Sequence, residues 1–185
     1  MKTKNKIMES TFSLFLEKGI QGTSTKDILD ASGVSNGTLY HHFPTKEKIV
    51  EEIFYSIQED MIVTINESTQ DAVQFREFLW LTWETLVRYA LENSSKNLFI
   101  RMFKDSSIIR NCKENMKSLG FDMHSKADEA IEKEIIDVPS SDYFNIMFNA
   151  NVNGVIEYFE MTKLDYETVL IKSLFDKFWR SVAKY

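Results

Sequence analysis

The chain has 185 residues, 43% of them hydrophobic, 27% charged and 13% aromatic, which suits one domain or a small module joined to a larger one and excludes a disordered or fibrous protein. A single cysteine, Cys112, excludes an internal disulfide framework, and no apolar run reaches the roughly 18–20 residues of a membrane span, so a cytoplasmic protein is expected. The net charge of −6, from 22 basic and 28 acidic residues, argues at first sight against a nucleic-acid partner.

Two prolines and six glycines leave few forced breaks, so an all-α chain of about nine helices is expected. Ile7, Met8, Thr11, Phe12, Leu14 and Phe15 recur at three- and four-residue spacing, which predicts an amphipathic helix over 4–18 that Gly19 stops. Ser24 stands three residues before Asp27 and just ahead of Ile28 and Leu29, the pattern of a capping box that opens a short second helix ending at Ser32 or Gly33. Gly33-Val34-Ser35 makes a three-residue turn, with Gly33 suited to the left-handed conformation and Ser35 placed to cap a third helix from Asn36 to about His42. Pro44 stops that helix, and Thr45 opens a fourth in which Ile49, Ile53, Phe54, Ile57, Met61 and Ile65 keep helical period. Beyond residue 70, helices are predicted near 72–92, 95–104, 107–118, 120–136, 141–161 and 166–183, separated by polar and turn residues.

Two short helices around a glycine turn, braced by longer ones, form a helix-turn-helix candidate, although an ordinary helical hairpin has the same outline. The charge distribution bears on the choice. Residues 1–50 hold seven lysines against five acids, a net +2, while the remainder holds 15 basic and 23 acidic residues, a net −8. A weakly basic head is thus joined to an acidic body, with a division placed at residues 1–60 and 61–185. In a helix-turn-helix the second short helix presents its first residues to base edges. Here that start is Ser35-Asn36-Gly37-Thr38, with Leu39 facing inward and Tyr40, His41 and His42 following.

The stretch GTSTKDILDASGVSNGTLYHHFPTKEKIVEEIF resembles the DNA-binding signature of the TetR family of bacterial transcriptional repressors, and the resemblance covers about residues 7–54. It implies phosphate contacts from Ser24, Thr25 and Lys26 and groove-facing positions at Asn36, Gly37 and Thr38. Tyr40, His42 and Lys46 match phosphate-contacting positions of the family, and His41 a variable one. It also implies a homodimer on a palindromic double-stranded DNA operator, released by a small-molecule effector. Residues 1–50 contain no arginine, the residue of the commonest specific guanine contact, so an operator biased toward A·T pairs is expected.

After residue 70, large adaptable side chains accumulate. With the family's habit of binding an effector among its central helices, Trp80, Trp83, Phe99, Met102, Phe103, Met116 and Phe121 are together expected to line an apolar pocket, while for any one of them taken singly plain core packing is the better reading. An apolar or aromatic effector follows, or a cationic one held by Trp and Tyr faces beside Glu84 or Glu92. The helices near 141–161 and 166–183 carry apolar faces wider than one side of a small domain buries, which points to dimerisation through a four-helix bundle.

No cofactor, metal site or catalytic group is expected. His41 and His42 are adjacent and point about 100° apart on a helix, whereas helical metal ligands are spaced by three or four. His124 stands alone, and Cys112 between Arg110 and Lys113 reads as a sensor only if exposed. Without paired acid/base or nucleophile constellations an enzyme is not supported. The alternative from another class is a helical small-molecule-binding or scaffold protein without DNA-binding activity.

Overall fold

A computed structural model describes residues 2–103, 121–166 and 168–185. Among these residues there are nine α-helices: α1 (Lys2–Gly22), α2 (Thr25–Ser32), α3 (Asn36–His42), α4 (Lys46–Thr69), α5 (Phe75–Glu92), α6 (Ser94–Phe103), α7 (Met123–Glu132), α8 (Ser141–Thr162) and α9 (Thr168–Val182). The helix predicted over 107–118, and with it Cys112 and Met116, lies outside the described residues. The described residues divide into two compact units, one of residues 2–60 with 94–103, the other of residues 61–93 with 121–166 and 168–185.

In the first unit, α1 packs against α2 and α6. Ile7 and Phe15 are completely buried on α1, with Ile28 of α2, Leu39 of α3 and Ile49, Val50 and Ile53 of α4. The addition of α6 to this unit goes beyond the division drawn at residue 60. It rests on aromatic packing: the Phe99 ring lies 5.4 Å from Phe12 and 4.7 Å from Phe103, and Phe103 meets Phe15 edge-on at 6.5 Å.

In the second unit, α5 packs against α8 and α9, and α7 against α8. The core interleaves aromatic with aliphatic side chains, and Trp83, Phe144 and Phe175 are inaccessible to solvent or nearly so. Burying each such side chain contributes about 1.5–3 kcal/mol. Trp83 also carries a polar atom into that core, and its Nε1 donates to Asn151 Oδ1 of α8 at 2.7 Å. Beside it, Glu84 accepts from Arg88 and, at 2.6 Å, from the Tyr166 hydroxyl in the α8–α9 connection. Burial first, and then the hydrogen bond to Glu84, push the Tyr166 phenol well above its ordinary pKa, so it stays protonated as the donor.

Several helix ends differ from the sequence expectation by one to four residues. Gly19 breaks α1 as expected, with φ 68° and ψ 172°, but the chain resumes helical hydrogen bonding to Gly22. The fourth helix runs a turn beyond Ile65 because nothing there opposes it, and the hydroxyls of Ser68 and Thr69 both donate to the Ile65 carbonyl. The segment predicted as helix to residue 136 ends at Glu132. Glu134 takes φ 55°, and Ile135 to Asp137 pair with the C-terminus, Asp137 N donating to Val182 O at 2.8 Å and Lys184 N to Ile135 O at 3.0 Å. Finally, α8 ends on Lys163 at φ 56°, a left-handed cap made without glycine.

The Trp83–Asn151 bond predicts an asymmetry in urea denaturation. Asn151→Ala, which strands the buried indole N–H, should lower stability by about 1–3 kcal/mol, whereas Trp83→Phe combined with Asn151→Leu should cost less than the sum of the two single changes.

Candidate nucleic-acid interface

The helix-turn-helix is assembled from its end groups. At the start of α2, Ser24 Oγ accepts from the Asp27 amide at 3.0 Å while Asp27 Oδ2 accepts from the Ser24 amide at 2.8 Å. The Ser24 hydroxyl also donates to the same carboxylate, and Lys18 lies 3.1 Å from its other oxygen. The bonds from Ser24, and then Lys18, hold the Asp27 carboxyl far below its ordinary pKa. Gly33 ends α2 in the left-handed region, φ 64° and ψ 26°, with its amide donating to Leu29 O at 2.8 Å. Ser35 then caps α3, accepting from the Thr38 amide at 3.2 Å and sharing a 2.8 Å hydrogen bond with the Thr38 hydroxyl.

This arrangement gives α3 two faces. Leu39, with Phe43 just beyond the helix end, is buried against the head, whereas Ser35, Asn36, Gly37, Tyr40 and His41 are exposed. Asn36 and Tyr40, like Gly37 and His41, are four residues apart, so they form one continuous outer edge. Thr38 and His42 are half-buried at its margins, and His42 packs between His41 and Phe43 at 5.2 and 6.4 Å. On α2, Lys26 is exposed and Thr25 half-buried.

Gly37 is the informative residue on this edge. Its backbone has no positive φ, and a Cβ built there would meet nothing within 4 Å. Glycine in a helix costs about 1 kcal/mol relative to alanine, and here neither a turn nor an internal neighbour compensates for it. The missing side chain leaves backbone open at the outer edge, which suits close approach by something outside the chain.

Lys46 does something sequence reasoning missed. Rather than standing free at the start of α4, its Nζ donates to the carbonyls of Ile20 at 2.9 Å and Thr23 at 2.8 Å. A cation on carbonyls in the last turn of α1 and just beyond it satisfies acceptors that a helix end leaves open, and it opposes the negative end of the helix dipole. Lysine at the fourth helix after a glycine-ended first helix was the available signal, but its target is legible only in three dimensions. The head's other lysines divide similarly. Lys4 pairs with Glu52 at 2.7 Å, Lys18 with Asp27 and Lys48 with Glu51, while Lys2, Lys6 and Lys26 form no ion pair among the described residues.

The residues expected to line an effector pocket fall in both units. Phe99 and Phe103 belong to the first unit and are buried on α1, with Met102 exposed beside them. Trp80, Trp83 and Phe121 belong to the second unit, where Trp83 is fully buried, stacked on Trp80 at 6.1 Å and edge-on to Phe175 at 5.7 Å, while Phe121 stacks on Phe78 at 6.3 Å. Met116 lies outside the described residues. Glu84 is also a poor seat for a cationic ligand, because it is almost buried and already balanced by Arg88. Among the described residues no three His, Cys, Asp or Glu side chains converge in a metal-binding group, and no helix is long and apolar enough to cross a membrane.

Comparison with known proteins bears on the first unit most directly. A family model for bacterial regulatory proteins of the tetR family matches residues 7–53. The chain is 33% identical over 89 residues to the HTH-type transcriptional repressor KstR2 of Rhodococcus jostii (strain RHA1), a match covering 48% of this chain and 42% of that protein. It is 30% identical over 77 residues to the HTH-type transcriptional regulator UidR of Escherichia coli (strain K12), covering 42% and 39%. The matched stretches thus span less than half the length of these curated relatives. Over the whole length, the fold is similar to that of a TetR family transcription regulator from Marinobacter aquaeolei VT8, with a TM-score of 0.86 at 20% identity over 99% of this chain and 96% of that one.

Two substitutions separate the roles of Lys46 and Gly37. Lys46→Met should lower the stability of the protein by about 1.5–3 kcal/mol in thermal or urea unfolding, because two charge-assisted hydrogen bonds are removed. Gly37→Ala should instead raise stability by up to about 1 kcal/mol in the same measurement.

Proposed function

We propose, from the premise that the chain belongs through residues 7–53 to the tetR family of bacterial regulatory proteins, that it is a sequence-specific DNA-binding transcriptional regulator, a repressor released from its operator by a small, largely hydrophobic effector. The observation that carries this is the outer edge of α3, where Asn36, Gly37, Tyr40 and His41 stand exposed and Gly37 leaves the backbone bare without internal cause. An edge of small and polar residues fits a major groove, with Asn36 suited to adenine and Tyr40 and Lys26 to phosphates. Ser24, Thr25, Ser35, Thr38, His41 and His42 complete the contacting surface, and Lys46 acts mainly as a positioning residue that holds the ends of α1 and α2. The activity is binding and has no catalytic step.

The protein acts as a homodimer. The outward face of α8 carries Ile146, Ala150, Gly154 and Met161 at helical spacing, all exposed, with Ile146 69% and Met161 76% accessible. A Cβ on Gly154 would meet nothing within the chain, so this mid-helix glycine also lacks an internal cause, and close packing of a second copy supplies one. On the last helix, Ile171, Phe175, Phe178 and Val182 face its own core and Lys172, Ser173, Lys177 and Arg180 face out. Two-fold symmetry then sets two recognition helices on a palindromic operator, with half-sites about 34–36 Å apart or a small multiple of that. Effector binding favours a dimer whose heads have the wrong separation. The single helix α4, with residues 46–60 in the first unit and 61–69 in the second, is the element available to carry that change.

Selection of binding sites from random duplexes should return palindromes with A·T-biased half-sites. Tyr40→Ala and Lys26→Ala should each weaken binding at all sequences, and Lys26→Ala should also reduce the salt dependence by about one released ion, since one phosphate is no longer neutralised. Unchanged DNA affinity in both variants would overturn the assignment of the head, and G·C-dominated half-sites would overturn the assignment of its base readout. Ile146→Asp should convert dimer to monomer in analytical ultracentrifugation and abolish binding to the full palindrome.

A further inference from the structure

The second unit contains a cavity of about 520 Å³ where the connection between α4 and α5 meets α7 and the last turn of α9. That volume falls in the range of about 300–1,000 Å³ usual for small-molecule sites. Its apolar walls are the rings of Phe75, Phe78 and Trp179, and its charged lining is Arg76, Lys126 and Lys133 against a single carboxylate, Glu129. Three cations to one anion reverses the balance of the surrounding sequence, since residues 51–185 carry 15 basic and 23 acidic side chains.

The three cations are not equivalent. Lys133 is paired with Glu129 at 2.5 Å, so these two charges cancel. Arg76 is paired with Asp176 at 2.7 Å and lies 5.7 Å from the centroid of the Trp179 ring. Lys126 forms no ion pair among the described residues, although Glu129 lies within electrostatic reach of it, and its ammonium sits 5.5 Å from the centroid of Phe78. A positive charge therefore stands against an aromatic wall at the edge of a space large enough for a ligand, and the carboxylate that acts on it, Glu129, is already paired with Lys133.

We propose that this cavity binds an amphipathic organic anion, a carboxylate carried on an aromatic or acyl body, with the carboxylate at Lys126 and the apolar body among Phe75, Phe78 and Trp179. The lining selects against cations, the opposite of the ligand charge that Glu84 and Glu92 suggested in the sequence. The assignment stands apart from the DNA-binding reading, because it concerns only the second unit and is measured without DNA.

Calorimetric titration of the full chain with 1-naphthoate and with octanoate, each set against its neutral amide, tests the site. At least one acid should bind one to one with a dissociation constant below about 1 mM and at least tenfold more tightly than its amide. The better acid identifies the body as aromatic or acyl. Lys126→Glu, at an exposed position, should weaken the preferred acid tenfold or more, and Val73→Glu, on a rim residue that is 92% exposed, should weaken it in the same direction without touching the core. The proposal is overturned if neither acid binds, if acid and amide bind alike, or if both glutamate variants, folded by circular dichroism, retain the parent affinity.

Discussion

The first unit depends on closing the ends of helices that are too short to persist alone. α2 and α3 have eight and seven residues, below the roughly 12–15 at which an isolated helix becomes even marginally stable in water. Each end is therefore satisfied from within the chain: Ser24 and Asp27 cap α2, left-handed Gly33 releases it, and Ser35 caps α3. Lys46 completes the scheme by reaching from α4 to the carbonyls of Ile20 and Thr23, which ties the end of α1 and the entry to α2 to the start of α4. The apolar packing of Ile28, Leu39 and Phe43 adds burial, but the orientation of α3 follows from these polar closures.

The same closures limit the electrostatics. Of the seven lysines in residues 1–50, Lys4, Lys18, Lys46 and Lys48 bond to the chain's own carboxylates or carbonyls, so the basic excess of the head is less available than its count suggests. An acidic chain with a few unpaired lysines attracts a polyanion weakly at long range. Under the DNA-binding proposal, affinity then rests on the fit of a preformed edge, and a bare Gly37 contributes by allowing closeness that a side chain would obstruct.

In the second unit a packed aromatic core and a cationic cavity lie within the same group of helices. Trp83 is held by Phe175, Trp80 and Asn151 and has no free face, whereas Phe75, Phe78 and Trp179 each leave part of a ring on the cavity. Sequence spacing does not distinguish these cases, because an aromatic side chain on the inner face of a helix has the same period whether its neighbour is another ring or empty space. Of the side chains expected around an effector, Trp83, Phe99 and Phe103 are buried, Trp80 and Phe121 half-buried and Met102 exposed, in two units, with Met116 outside the described part of the chain.

What the sequence determined by itself was the short-range chemistry of the helix-turn-helix. The capping box at Ser24, the left-handed stop at Gly33, the cap at Ser35 and the exposed start of α3 each depend on residues within a few positions of one another, and all were legible. Only the tertiary structure decided where long side chains end. It sent Lys46 back to residues 20 and 23, joined Phe99 and Phe103 to α1, linked Glu84 to Tyr166 across 82 positions, and set Lys126 over the Phe78 ring. The physical reason is reach: a cap is fixed by the backbone's own geometry, whereas the partner of a flexible cation or a buried ring is set by which distant segment packs beside it.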